Sequence, residues 1–152
     1  MSYPPLPLLR VLVVALAACV SVVARGQDLA ISEFMASNAS TAVAGQVSGQ
    51  FHDWIEIRNN GATSVDLVGW HLSDDSGIPF KWTFPSTTIA AGGHKIVFAS
   101  GTGTPANGVL HTNFALASRG GYVALVRPDL SVASSFDSPK QFSDVSYGTP
   151  GS

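Results

Sequence analysis

The chain has 152 residues, of which 45% are hydrophobic and 12% charged, with 8 Lys and Arg, 10 Asp and Glu, and 1 Cys. That length fits one domain, and the apolar fraction excludes intrinsic disorder. A net charge of -2 with no Lys/Arg cluster excludes the basic footprint of a dedicated nucleic-acid binder, and a single cysteine excludes an internal disulfide.

The first 26 residues read as an export signal. After Arg10 comes an uncharged apolar run, Val11 to Ala24, closed by Arg25-Gly26. It is shorter than the roughly 20 residues a membrane-spanning helix needs, so it fits the h-region of a secretory signal peptide. Small residues at Ala24 and Gly26 place cleavage before Gln27, with cleavage after Ala24 as the competitor. Leu16-Ala17-Ala18-Cys19 also resembles a lipobox, which would leave a lipid anchor on Cys19, although the run stays apolar through Val20, Val22 and Val23. The expected location is therefore secreted, extracellular or cell-surface, with a lipoprotein anchored through Cys19 as the alternative. Loss of residues 1–26 removes Arg10, Arg25 and Cys19, leaving a cysteine-free domain of net charge -4 whose stability rests on core packing.

Residues 27–148 form the expected domain, with 149–152 as a tail. No helical period persists for three turns. Short runs rich in β-branched and aromatic residues instead predict strands at Leu29 to Met35, Asp53 to Asn59, Val65 to Leu67, Trp70 to Ser73, Lys81 to Phe84, His94 to Ala99, Tyr122 to Arg127 and Val132 to Phe136. Such spacing predicts an all-β sandwich or barrel. Alternation with period two turns Ile55 and Ile57 to the core and Trp54, Glu56 and Arg58 away from it. Segments 94–99 and 122–127 are apolar on both faces, which predicts central strands.

Between these runs, Asn59-Asn60-Gly61, Asp74-Asp75-Ser76-Gly77 and Ala91-Gly92-Gly93 supply turn residues that tolerate positive φ, and Arg127-Pro128-Asp129-Leu130 predicts a hairpin. Ser37 to Gln50 and Gly101 to Gly108, made of small and polar residues, read as mobile surface loops suited to carrying a binding function.

Six blocks carry a resemblance: Ile31-Ser-Glu-Phe-Met-Ala-Ser-Asn38, Asp53-Trp-Ile-Glu-Ile-Arg-Asn-Asn-Gly61, Val65 to Asp75, Lys81-Trp-Thr-Phe-Pro85, Ile89-Ala-Ala-Gly-Gly93 and Asp144-Val-Ser-Tyr-Gly148. In that order and spacing they resemble the lamin tail domain family in its bacterial, secreted form. The resemblance implies an immunoglobulin-like β-sandwich without an inter-sheet disulfide. It also implies that the strands bearing Trp54, Trp70 and Trp82, and the aspartates after them, build the sandwich rather than a catalytic site.

Gly-x-Ser-x-Gly, His-Glu-x-x-His, Cys-x-x-Cys and P-loop patterns are all missing, so no catalytic residue, resident metal or cofactor is expected. His52, His71, His94 and His111 are at least 17 residues apart and read as separate surface or strand residues. Glu33, Asp53 and Glu56, with the Asp74-Asp75 pair, could supply oxygen ligands for calcium, or serve a small metal-dependent hydrolase. The plainer reading has Asp53, Asp74 and Asp75 accepting backbone N–H bonds and Glu56 pairing with Arg58 or a cross-strand lysine. Phe51, Trp54, Phe80, Trp82, Phe136 and Phe142 could form a carbohydrate-binding platform, or belong to the core. Asn38-Ala39-Ser40 is a formal glycosylation sequon. The favoured expectation is an exported, non-enzymatic binding or scaffolding module that engages a protein or a cell-envelope or extracellular component, with no nucleic-acid partner and its oligomeric state left open.

Overall fold

A computed structural model describes residues 29–106 and 108–149, so the expected signal segment and Cys19 lie outside the described residues. Among the described residues eleven strands follow one another: β1 Leu29–Met35, β2 Trp54–Asn59, β3 Val65–Asp66, β4 His71–Ser73, β5 Trp82–Thr83, β6 Thr88–Ile89, β7 His94–Phe98, β8 Leu110–His111, β9 Gly121–Val126, β10 Val132–Ser138 and β11 Tyr147–Gly148. They form a five-stranded sheet in the order β11-β1-β2-β7-β8, a four-stranded sheet β10-β9-β4-β5 and a small pair β3-β6. The fold is all-β and immunoglobulin-like. All eight strands expected from the sequence are present, and β7 and β9 lie inside their sheets as their two-sided apolar character predicts.

Alternation explains the core. Ile31, Ile55, Ile57 and Val97 from the larger sheet meet Leu72, Val123 and Leu125 from the smaller one, all fully buried, with Trp70 and Trp82 in the same cluster. Burying each such side chain contributes on the order of 1.5–3 kcal/mol. One irregularity lets β1 serve this core better than strict alternation could. A register shift between Ile31 and Glu33 makes Ser32 a bulge, so Ile31 and Phe34, three residues apart, both face inward. The bulge exposes the Ile31 N–H to the opposite sheet, where Ser134 Oγ accepts it at 3.2 Å.

The chain closes on the same strand. β11 lies antiparallel to β1, and Thr149 N–H donates to the Ser32 carbonyl at 3.0 Å, one residue past the expected end of the domain. Position 148 must be glycine, because a Cβ there would collide with that Ser32 carbonyl.

The turns depart in part from expectation. Positive φ occurs at Gly92, but nowhere in 59–61 or 74–77. There the side chains do the turning: Asn59 Oδ1 accepts Gly61 N–H at 2.9 Å and Asp75 Oδ1 accepts Gly77 N–H at 2.8 Å, which requires no left-handed residue. The 127–130 hairpin forms, with Leu130 N–H on the Arg127 carbonyl at 2.9 Å and Leu130 itself at φ 65°.

Candidate functional site

The outward face of the five-stranded sheet gathers Glu33, Trp54, Glu56, His94 and His111 from among the candidate residues. Register places them in rows across the strands. Met35, Trp54, Phe98 and His111 make one row, Glu33, Glu56 and Ile96 the next, and Ala30, Arg58 and His94 a third. Trp54 therefore points away from the main core as expected. It is nevertheless buried, because Met35, Trp54 and Phe98 form a second cluster with Val43, Ile96 and Val109 packed on it.

Val43 belongs to the 37–50 segment, which is tied down rather than loose. The Asp144 carboxylate accepts N–H bonds from Ala39 at 2.8 Å and Ser40 at 2.9 Å and the Ser40 hydroxyl at 2.7 Å, and it also takes Thr41. These bonds hold its pKa down to about 2. Asn38 spends its whole amide internally, donating to the carbonyls of Thr41 and His52 and accepting Thr41 N–H. In the folded domain the Asn38 amide thus closes its own loop onto Thr41 and His52.

Two of the four histidines converge. His52 and His111 meet edge to face with ring centroids 5.6 Å apart, and both lie against Phe98. His111 Nδ1 is 2.9 Å from Ser100 Oγ. Burial, reinforced by the His52 charge, lowers the His111 pKa. Ser100 Oγ is also 3.0 Å from Thr102 Oγ1, and among the described residues no carboxylate hydrogen-bonds to either imidazole. The pair packs as aromatic plates at the end of the row, without the oriented base that an activated serine requires.

The carboxylates divide. Glu33 and Glu56 are direct cross-strand neighbours, and Glu56 Oε1 accepts the Ser32 hydroxyl at 2.6 Å instead of pairing with Arg58 or a lysine. Asp53 stands apart at the entry to β2, where it accepts Asn38 N–H at 2.9 Å. Burial raises the Asp53 pKa, opposed by that N–H and by His52. Asp74 pairs with Lys81 at 2.6 Å, and the Lys81 ammonium lies 5.6 Å from the Phe114 ring centre. Among the described residues no three His, Cys, Asp or Glu side chains gather as metal ligands, and Asp53 stands apart from the Glu33–Glu56 pair.

The six aromatics also separate. Trp54 and Trp82 are buried and Phe136 rests on Phe34 with ring centres 5.4 Å apart, which leaves only Phe51, Phe80 and Phe142 exposed. Sequence reasoning missed Asp144 and Ser100. The uncharged run Ser37 to Thr41, with consecutive N–H groups and three hydroxyls, is the signal that an anion is needed there, but it does not say which one.

The model of the family described as Lamin Tail Domain matches residues 23–139 of this chain. No curated protein matches it. The match stops short of Asp144 and β11, which nevertheless hydrogen-bond back into its first block.

Proposed function

The chain belongs to the lamin tail domain family, and from that premise we propose that it is an exported module that binds a protein or a cell-envelope or extracellular component and does no chemistry of its own. At the family level it is an immunoglobulin-like binding or scaffolding domain. The observation that carries the reading is the family match across most of the sandwich, joined to a site whose polar groups are consumed in holding the fold. Asp144, Asn38 and Asp53 all serve the 37–50 segment, and Ser32 engages Glu56. Export rests on the apolar run Val11 to Ala24, and six basic residues spread over positions 27–152 argue against a nucleic-acid partner.

The test is capture by the purified domain, residues 27–152, from envelope and extracellular fractions of the source organism, with cross-linking and mass spectrometry. A discrete, saturable partner is expected. Hydrolysis of added substrates that depends on Glu33 or Glu56 would overturn the reading. The mass of the exported chain separates release from anchoring, since cleavage before Gln27 leaves no cysteine and lipidation leaves Cys19 at the N-terminus.

A further inference from the structure

We propose that the free edge of β7 at His94 to Ile96 is a docking site for an extended peptide segment that carries an acidic residue beside apolar ones. The proposal rests on reading the chain as a protein-interaction module and names where the partner sits.

The edge follows from register. β8 is parallel to β7 but pairs with it only at Val97 and Phe98, so among the described residues no strand pairs with the first three residues of β7 on that side. Gly93 accepts Asn59 N–H and Ala99 donates to the Asp53 carbonyl, so the odd-numbered residues of β7 turn their backbone groups to β2. Alternation then points the N–H and C=O of His94 and the N–H of Ile96 outward, past the start of β8. Unsatisfied strand edges of this kind are what an added strand pairs with.

A cavity of about 250 Å³ opens at this edge, lined by Ala44, His94, Lys95, Ile96, Val109 and Leu110. Its walls are mixed, with aliphatic side chains from Ala44, Ile96, Val109 and Leu110 beside polar groups of the strand edge, so it fits one short aliphatic side chain of an incoming strand that also offers backbone hydrogen bonds. The charge around it has one sign. The segments 37–50 and 99–110, which supply the opposing walls, contain no charged residue, so the charged group on the edge is Lys95, with Arg58 directly across from His94 on β2. The nearest carboxylate in register, Glu56, lies one strand inward and is held by the Ser32 hydroxyl. In a chain of net charge -2, a cationic strand edge is a local departure that selects an acidic partner.

The probe is a blocked seven-residue peptide alternating valine and aspartate, titrated into the 15N-labelled domain (27–152). Saturable shifts are expected at the amides of His94, Lys95, Ile96, Gly108, Val109 and Leu110. Lys95→Glu should weaken binding about three- to fivefold, while its own spectrum confirms the fold. N-methylation of alternate peptide amides should abolish binding without touching the protein. A valine–lysine peptide that binds equally well, shifts that map elsewhere, or no saturation would overturn the assignment, and the lysine would then serve only to block edge pairing. Concentration-dependent shifts of the same amides without peptide would assign the edge to a second copy instead. If an envelope partner is captured and Lys95→Glu and Ile96→Asp leave its binding unchanged, the edge assignment fails while the wider reading stands.

Discussion

Asp144 holds Ser40 at both ends, taking its backbone N–H at 2.9 Å on one carboxylate oxygen and its hydroxyl at 2.7 Å on the other. The two residues are 104 positions apart, so this contact ties the turn before β11 to the segment that covers the outward sheet face. Asp144 itself sits at φ 59°, a conformation that a non-glycine residue adopts at a cost and that its five acceptor contacts offset.

Because the Asp144 pKa is depressed from 3.8 to about 2 in the folded state, chiefly by the Ser40 hydroxyl and N–H, its contribution to stability is complete above pH 3.8. It is lost as pH falls through about 2, since the unfolded chain binds the proton first. Thermal melts between pH 5 and about 2 should therefore fall more steeply for the native domain than for Asp144→Asn. Amide exchange at Ala39, Ser40 and Thr41 should accelerate in that variant at neutral pH. Unchanged protection of those three amides would sink the idea that Asp144 pins the segment.

Leu130 pays for the hairpin between β9 and β10. It occupies φ 65° with its side chain 48% exposed, so its apolar area returns little for the backbone strain. Leu130→Gly should stabilise the domain by about 1 kcal/mol, the left-handed penalty being only partly offset by the greater freedom of glycine when unfolded. The melting temperature should rise by roughly 3–5 °C. A fall would mean that Leu130 packs in solution against something its exposure conceals.

Asn59 shows where the sequence is legible and where it is not. The long strands were readable because alternation over five or more residues is a strong signal, and the bulged β1 was recovered with the bounds Leu29–Met35. β6, β8 and β11 have two residues each and exist only through distant partners, so no local period announces them. Asn59 reads locally as a turn residue beside Asn60-Gly61. In the fold it is fully buried and its amide donates to the carbonyls of Thr63, Ile89 and Ala90, joining β2 to the end of β6. The site was legible to the same extent: the residue types were visible, but the meeting of His52 with His111 and of Asp144 with Ser40 depends on packing between remote segments.

Asn59→Ala should accordingly cost about 1–3 kcal/mol, because it strips the carbonyls of Thr63, Ile89 and Ala90 of a donor, the bond to Ile89 being buried. A turn asparagine at the surface would cost a few tenths to about 1 kcal/mol by comparison. Chemical denaturation with an unchanged m-value separates the two outcomes. A loss below about 1 kcal/mol would return Asn59 to the role of an ordinary turn residue.

His111 sets a second pH dependence, nearer neutrality. Its pKa is lowered from 6.5 by burial first and by the charge of His52 second, so the unfolded chain takes up its proton before the folded one. The stability tied to neutral His111 is present above pH 6.5 and is lost as pH falls from there through the lower folded value. His71 shifts in the same direction through burial, so the native slope has two sources. His111→Asn, which can keep a hydrogen bond to Ser100, should flatten melting temperature against pH between about 7.5 and 5, and His71→Thr should flatten it further. Protonating His111 places a cation in a ring 5.6 Å from the His52 ring and against Phe98, and His52 carries the carbonyl that receives Asn38. Protection of the Asn38 and Thr41 amides, measured against their intrinsic exchange rates at each pH, should therefore fall on acidification in the native domain and stay level in His111→Asn. Equal falls in both would show that the histidine pair does not control the covering segment.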